Sequence, residues 1–393
     1  MRLLINAVGC RAGGGLTVGL NCIRGIRQAR PGYEIMALVP AGHGYEELCG
    51  SLSIPYRAFT KTLGYAAWRL WFDQVKVPLA ARQWSADVLF TLNNQPAWGA
   101  PCPQIALFAN PYYIYPVAEW PPLTLFDRTS LLVQRGLFAA SARRCAWVAA
   151  QTNVAAKRLH AQFGIDPARL VIVPNAVAAE HHDAETEDGQ RVARRMEDAA
   201  AGRVRVLTLS RYYSHKNLEM IVRLARRLRE IEDRRFVFFI TIAAEQHAGA
   251  RALLKAIERY RLGDDIVNLG PLGYGALRSV YQTAQICFLP TVLESMSGAY
   301  LEAFHYQLPI VTTECDFARD TCGSAAAYFL PGNVDAAILL LQTASGAPRK
   351  HDGEGRAKPR RWADVCGDFA GVIDSIRRPD PDAAQMAARV RAR

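Results

Sequence analysis

The sequence predicts an α/β protein made of two Rossmann-like, doubly wound domains facing a central cleft. Three observations predict it. The chain has 393 residues, enough for two domains of ordinary size. Short β-rich runs alternate with longer helical ones, the signature of βαβ units and a parallel sheet. The alternation stops once, in a polar stretch, and then restarts.

In the first half the strands read RLLINAVG, YEIMALVP, DVLFTLN, QIALFAN, WVAAQT and LVIVPNA. The first helix, LTVGLNCIRGIRQA, is stopped by Pro31–Gly32. After VPNAV comes a polar stretch without strand character. Residues 178–202 are therefore expected to link a domain over 1–177 to one over 203–345. The second domain restarts with VRVLTLS, the helix LEMIVRLARRLREI, the strand FVFFITIAA and the helix ARALLKAIERY. The strands IVNLG, ICFLP, PIVTT and AAYFL follow. Leu218, Ile221, Val222, Ala225 and Leu228 recur at the spacing of a buried helix face. A basic segment and a helix from Trp362 to Ile376 occupy 346–378, and 379–393 are expected as a flexible tail.

Half the residues are hydrophobic and about a fifth charged, the composition of a soluble globular protein. No run of 18 apolar residues predicts a transmembrane helix. MRLLINAVGC leads straight into a glycine loop and reads as a first strand rather than a signal peptide. Nine scattered cysteines without a CxxC pair predict reduced thiols in a cytoplasmic protein. No His/Cys cluster has zinc spacing, so no metal site is expected. The net charge of +11 suits an acidic partner. No nucleic-acid motif accompanies it, which leaves solubility, a nucleotide substrate or the anionic inner face of a membrane as its use.

Three loops could carry chemistry. In GCRAGGGLTVG, Gly14 and Gly15 let backbone approach a ligand just before a helix. The loop is neither a P-loop, since Gly9 to Gly14 is followed by Gly-Leu where K-[ST] is needed, nor a dinucleotide fingerprint, since Val18 takes the third glycine's place. In SRYYSHKN, Arg211 and Lys216 lie between a strand and a helix. A guanidinium and an ammonium there suit a diphosphate gaining negative charge. In LESMSGAYLEAF, Glu294 and Glu302 are separated by seven residues. On one helix they would sit about 80° and about 12 Å apart, a poor acid–base pair. A helix starting at Ser297–Gly298 instead puts Glu294 in the preceding loop and Glu302 near the first turn. Both would then flank an anion-binding helix N-terminus.

LSRYYSHKNLE, followed about eighty residues later by LPTVLESMSGAYLEAF, resembles the C-terminal domain of glycosyltransferase family 4, whose members are retaining, sugar-nucleotide-dependent enzymes of the GT-B fold. VIVPNAV, the GGG loop and the helix after Trp362 resemble further parts of that family. The resemblance implies a hexosyltransferase that needs no metal or other cofactor. Its donor would be a nucleoside-diphosphate sugar and its acceptor a surface glycan such as lipopolysaccharide or a lipid-linked glycan. Arg211 and Lys216 would neutralise the leaving diphosphate and Glu294 would face the transferred sugar. Backbone around Met296, Ser297, Gly298 and Ala299 would hold phosphates and hydroxyls, and Glu302 the ribose. Where the family has a sugar-contacting histidine, ALFANPYY has Ala109, and Asn110 beside it is the candidate for that contact. A sugar-nucleotide epimerase and an idle sugar-nucleotide-binding protein are the alternatives.

The aromatic segments YAAWRLWFDQ and PYYIYPVAEWPP fall in the first domain. They fit either core and loop or, with the nearby cations, a lipid-facing surface.

Overall fold

A computed structural model describes residues 1–60, 65–92, 94–177, 185–346 and 360–377. The chain divides into two compact units. The first comprises Met1–Glu119, Leu123–Ala176 and Arg360–Arg393, the second Trp120–Pro122 and Val177–Pro359.

The first unit is built on a seven-stranded parallel sheet. Its strands are β1 (Arg2–Asn6), β2 (Glu34–Pro40), β3 (Tyr56–Phe59), β4 (Val88–Thr91), β5 (Gln104–Leu107), β6 (Trp147–Ala150) and β7 (Leu170–Ile172), in the order 3-2-1-4-5-6-7. The apolar runs of β1, β2, β4 and β5 are buried along nearly their whole length, because helices cover the sheet on both faces. On one face, Leu4, Met36, Leu38 and Leu89 pack against Phe72, Val77, Ala80 and Ala81 of the helical run after β3. On the other, Phe90 meets Phe369 of the helix Trp362–Arg377, with ring centroids 5.0 Å apart. That helix also lies on the helix Gly13–Ala29. A Cβ at Gly25 would come within 2.4 Å of Cys366 Sγ, so glycine permits the close approach. Asp374 accepts hydrogen bonds from both Arg30 and Tyr33. The last described helix thus belongs to the unit that begins the chain.

The second unit has a six-stranded parallel sheet. Its strands are β8 (Val204–Thr208), β9 (Phe236–Ile240), β10 (Ile266–Asn268), β11 (Ile286–Leu289), β12 (Ile310–Thr313) and β13 (Ala326–Phe329), in the order 10-9-8-11-12-13. Strand order therefore reverses between β8 and β11, the switch point at which doubly wound sheets hold ligands. The helix Glu219–Glu230 buries Ile221, Val222, Ala225 and Leu228, the face that periodicity predicts.

Two expectations change. The sequence reading had no strand at Tyr56–Phe59, which forms the mostly exposed edge strand β3. The 178–202 segment, expected as a linker, holds the helix Glu187–Ala200. Thr186 caps it and donates to Gly275 O at 2.9 Å, while a Cβ at Gly189 would meet Ser279 Oγ at 2.6 Å. This helix packs on the helix Tyr274–Thr283 through a narrow stripe of Val192, Met196 and Ala200. Three small or medium apolar residues among charges give a weak periodic signal. Residues 178–184, most of the basic segment and the expected tail lie outside the described residues.

Candidate active site

In the second unit, two loops meet at the carboxyl ends of β8 and β11. Thr208 Oγ1 donates to Phe288 O at 2.7 Å and ties the strand ends together. The loop after β8 then makes a 3₁₀ turn, Ser214–Lys216, and reverses at Asn217, whose φ of 49° is left-handed. Asn217 Nδ2 donates to Pro290 O at 3.2 Å, and Val292 N donates to His215 O at 2.8 Å. These bonds fasten the lysine loop to the glutamate loop.

Tyr212 anchors the same loop from below. Its N–H donates to Gln246 Oε1 at 2.9 Å, its hydroxyl to Glu219 Oε1 at 2.5 Å, and its ring stacks on His247. Gly249 leaves the room for this. A Cβ there would stand 2.1 Å from the Tyr212 hydroxyl and 2.4 Å from Cζ.

The β11 loop is braced by Thr312, which donates to Leu289 O at 2.7 Å, and by Thr313, which donates to Thr291 O. It carries Glu294, Ser295 and Ser297, all buried. Lys216 Nζ donates to Glu294 Oε2 and lies 3.5 Å from Ser297 Oγ, while Glu294 Oε1 accepts from Ser295 N at 3.1 Å. The side chains of Lys216 and Glu294 are only 14% and 9% exposed. Such a pair is costly to desolvate and is seldom explained by stability alone. Arg211, in the same loop, is exposed. It makes no recorded side-chain hydrogen bond or ion pair among the described residues. Of the two expected cations, the structure brings only Lys216 to Glu294.

The helix Gly298–His305 begins beside this pair. Ser297 stands at its N-cap, but its side chain makes no capping bond, and the first turn holds no acid. Gly298 is exposed and a Cβ there would meet nothing within 4 Å. Tyr300 N donates to Ser297 O at 3.2 Å, which leaves the N–H groups of Gly298 and Ala299 facing outward at a helix end suited to an anion, with a lysine at hand. Met296 and Ala299 flank this end, both partly buried. Glu302 falls in the second turn. Its Oε2 accepts from the Tyr281 hydroxyl at 2.5 Å, and the Tyr281 ring stacks on Tyr306. Burial raises the Glu302 pKa above the usual carboxylate value, and the Tyr281 hydrogen bond partly offsets this. His215 is held neutral: burial, and then the neighbouring Lys216 charge, push its pKa well below 6.5.

The first unit has a switch point of its own, between β1 and β4. Gly14 and Gly15 are exposed there, within the first turn of the helix Gly13–Ala29 rather than before it. Gly13 has φ +55°, which explains one glycine, whereas a Cβ at Gly14 would meet nothing within 4 Å. Asn110 caps the short helix Pro111–Ile114, its Oδ1 accepting from Tyr112 N at 3.1 Å, so part of its side chain is already engaged.

Sequence reasoning missed two features. Tyr281 was not singled out, although its hydroxyl donates to Glu302. In the first unit, Asn6 Nδ2 donates to the buried Asp73 at 3.1 Å, and Arg69 pairs with the other Asp73 oxygen at 2.5 Å. The signal was an asparagine inside an otherwise apolar strand.

Comparison with known proteins follows the same lines. Residues 203–341 match the family model for glycosyl transferases group 1. A search of curated proteins finds no match. Among solved structures, Anabaena HepE, in complexes with UDP and glucose and with UDP-glucose, is similar over 100% of this chain and 98% of its own, at 15% identity and a TM-score of 0.65. Sucrose-phosphate synthase from Thermosynechococcus elongatus is similar over the same shares, at 14% identity and a TM-score of 0.65. The lipopolysaccharide outer core galactosyltransferase WaaB covers 100% of this chain and 99% of its own, at 14% identity and a TM-score of 0.55. The chain has the fold of the GT-B glycosyltransferases, and most of its second unit matches the group 1 model.

Proposed function

We propose that this protein is a retaining glycosyltransferase that moves a hexosyl unit from a nucleoside-diphosphate sugar to a surface-glycan acceptor carried on a lipid. The observation that carries the reading is the buried Lys216–Glu294 pair beside the uncapped helix at Gly298, at the switch point of the second sheet. The group 1 family match over that unit, and the UDP and UDP-glucose bound by the HepE structures, support a sugar-nucleotide donor.

In this reading the diphosphate lies against the N–H groups from Met296 to Ala299, and Lys216 turns from Glu294 to a phosphate oxygen. Arg211 adds a second positive charge. Glu294, released from the lysine, accepts hydrogen bonds from sugar hydroxyls, and Glu302 accepts them from the ribose. The bond from the anomeric carbon to the phosphate oxygen breaks, and its electron pair stays on the diphosphate. The acceptor oxygen bonds to that carbon from the same face, and its proton passes to the departing phosphate oxygen. The side chains thus supply charge and placement rather than a covalent intermediate. Two protein cations take the countercharge role that a metal ion has in other diphosphate sites, and turnover is expected to survive chelation.

A panel of nucleoside-diphosphate sugars, incubated with a lipid-linked glycan acceptor, tests the reading. Free nucleoside diphosphate formed together with an extended glycan of unchanged anomeric configuration supports it. Epimerised sugar nucleotide, an inverted product or no turnover with any donor contradicts it.

A further inference from the structure

The positive charge is unevenly shared. Residues 1–176 contain 17 Lys and Arg against 8 Asp and Glu, whereas 177–393 contain 30 against 28. Between Ile54 and Ala86 the sequence holds five cations and a single acid, Asp73, which is buried and paired with Arg69. This stretch includes β3 and the helical run formed by Tyr65–Trp71, a π-helical turn Phe72–Lys76, and Val77–Trp84.

The inner side of that run is the sheet-covering face already described. Its outer side is apolar. Leu70, Trp71, Val75 and Leu79 are 37–48% exposed, and the last three recur every four residues as one stripe. Lys76 Nζ lies 4.9 Å over the Trp71 ring, and Arg82 is exposed one turn beyond Leu79. Arg57 on β3 reaches Gln83 at 3.4 Å, which brings the sheet edge, with exposed Tyr56, to the same helix. The other aromatic segment behaves differently: Tyr112, Tyr113, Ile114 and Tyr115 are core.

A second helix adds to the face. Leu125–Ala142 exposes Leu125 and Phe126 almost fully, with Arg128 also exposed. Its Phe138 packs on Phe108, which continues the side of β5 that register aligns with Leu89. Both helices therefore cover the same face of the sheet.

We propose that this face of the first unit docks on an anionic phospholipid surface. Trp71, Val75 and Leu79 would enter the headgroup–acyl boundary, while Lys76 and Arg82 pair with lipid phosphates. The charge argues for this occupant over a second copy, because two such faces would bring like charges together. The inference does not rest on the donor reading, so its success or failure leaves that reading untouched.

Sedimentation with vesicles of equal parts phosphatidylglycerol and phosphatidylcholine, and of phosphatidylcholine alone, tests it on the full chain. Binding is expected to the mixed vesicles at low salt and to weaken as salt rises. Lys76→Glu with Arg82→Glu should lower it at least about tenfold, since each neutralised cation near such a surface is worth roughly fivefold. Trp71→Glu with Leu79→Glu should lower it similarly at every salt concentration. Arg226→Glu in the second unit should leave it unchanged. All these side chains are exposed, and unchanged melting curves would show that the variants fold. Absence of binding at low salt, or equal binding by all variants, overturns the proposal. So does a concentration-dependent dimer that the Trp71 and Leu79 changes abolish.

Discussion

Lys216 Nζ donates a hydrogen bond to Glu294 Oε2, and the two side chains come from loops 78 residues apart in sequence. The pair is nearly buried, and the bonds from Asn217 and His215 to the β11 loop hold it in register. With no donor bound, each partner satisfies the other. In the proposed reading, a ligand carrying a diphosphate and a sugar would replace this internal ion pair by two external contacts.

Lys216→Ala is therefore expected to act mainly on the chemical step. The leaving diphosphate gains charge as the glycosidic bond breaks, while the helix end offers only about half an elementary charge. Loss of one such donor should lower kcat roughly 10²–10³-fold, more than KM rises. Arg211→Ala should follow the same direction. Steady-state kinetics with any accepted donor checks both.

Glu302 and Tyr281 act together in the ribose assignment. Glu302→Ala should weaken nucleoside-diphosphate binding by about 1.5–3 kcal/mol, the worth of a hydrogen bond to a charged group. Tyr281→Phe, which leaves the carboxylate but frees its orientation, should weaken it less. Equal affinities in calorimetry would remove Glu302 from the site.

His215 predicts a dependence of stability on pH. Its folded pKa lies well below 6.5, so the unfolded chain takes up a proton that the folded chain refuses. Stability from this residue is present above about pH 6.5 and is lost as pH falls below it. Glu302 runs the other way. Its raised pKa lets the folded state keep a proton longer, so its contribution declines as pH rises above the ordinary carboxylate value of 4.5. Melting temperatures from pH 7.5 to 5.5 should fall less for His215→Gln than for the parent. Parallel curves would contradict the assignment.

Gly249→Ala tests the support of the lysine loop. The new methyl would collide with the Tyr212 ring, which cannot retreat without giving up its hydrogen bond to Glu219 or its stack on His247. A loss of about 1–3 kcal/mol is expected, together with reduced turnover. Chemical denaturation and kinetics on the same preparation would show whether the two effects travel together.

Much of this was legible in the residues. Short apolar runs such as FVFFI and ICFL read as strands, and all six strands of the second sheet were found as strands in the sequence. Glu294 in the loop before the helix followed from the small residues around it. What failed did so for local reasons. Tyr56–Phe59 is a four-residue edge strand with little buried, so it lacks the apolar signal. Glu187–Ala200 buries a narrow stripe, and composition hid it as a linker. Ser297 looked like a capping residue, but its hydroxyl makes no capping bond and lies 3.5 Å from Lys216 Nζ. The Tyr281–Glu302 and Asp73–Asn6 contacts join positions 21 and 67 residues apart, which no local pattern displays.

The central claim is that Lys216, Glu294 and Glu302 form one sugar-nucleotide site in the second unit. Titration calorimetry of UDP, GDP and ADP against the parent, Lys216→Ala and Glu302→Ala proteins tests it most directly. At least one nucleoside diphosphate should bind the parent, and each substitution should weaken that same ligand while the protein remains folded. No binding by any of the three, or unchanged affinity in both variants, would contradict the account.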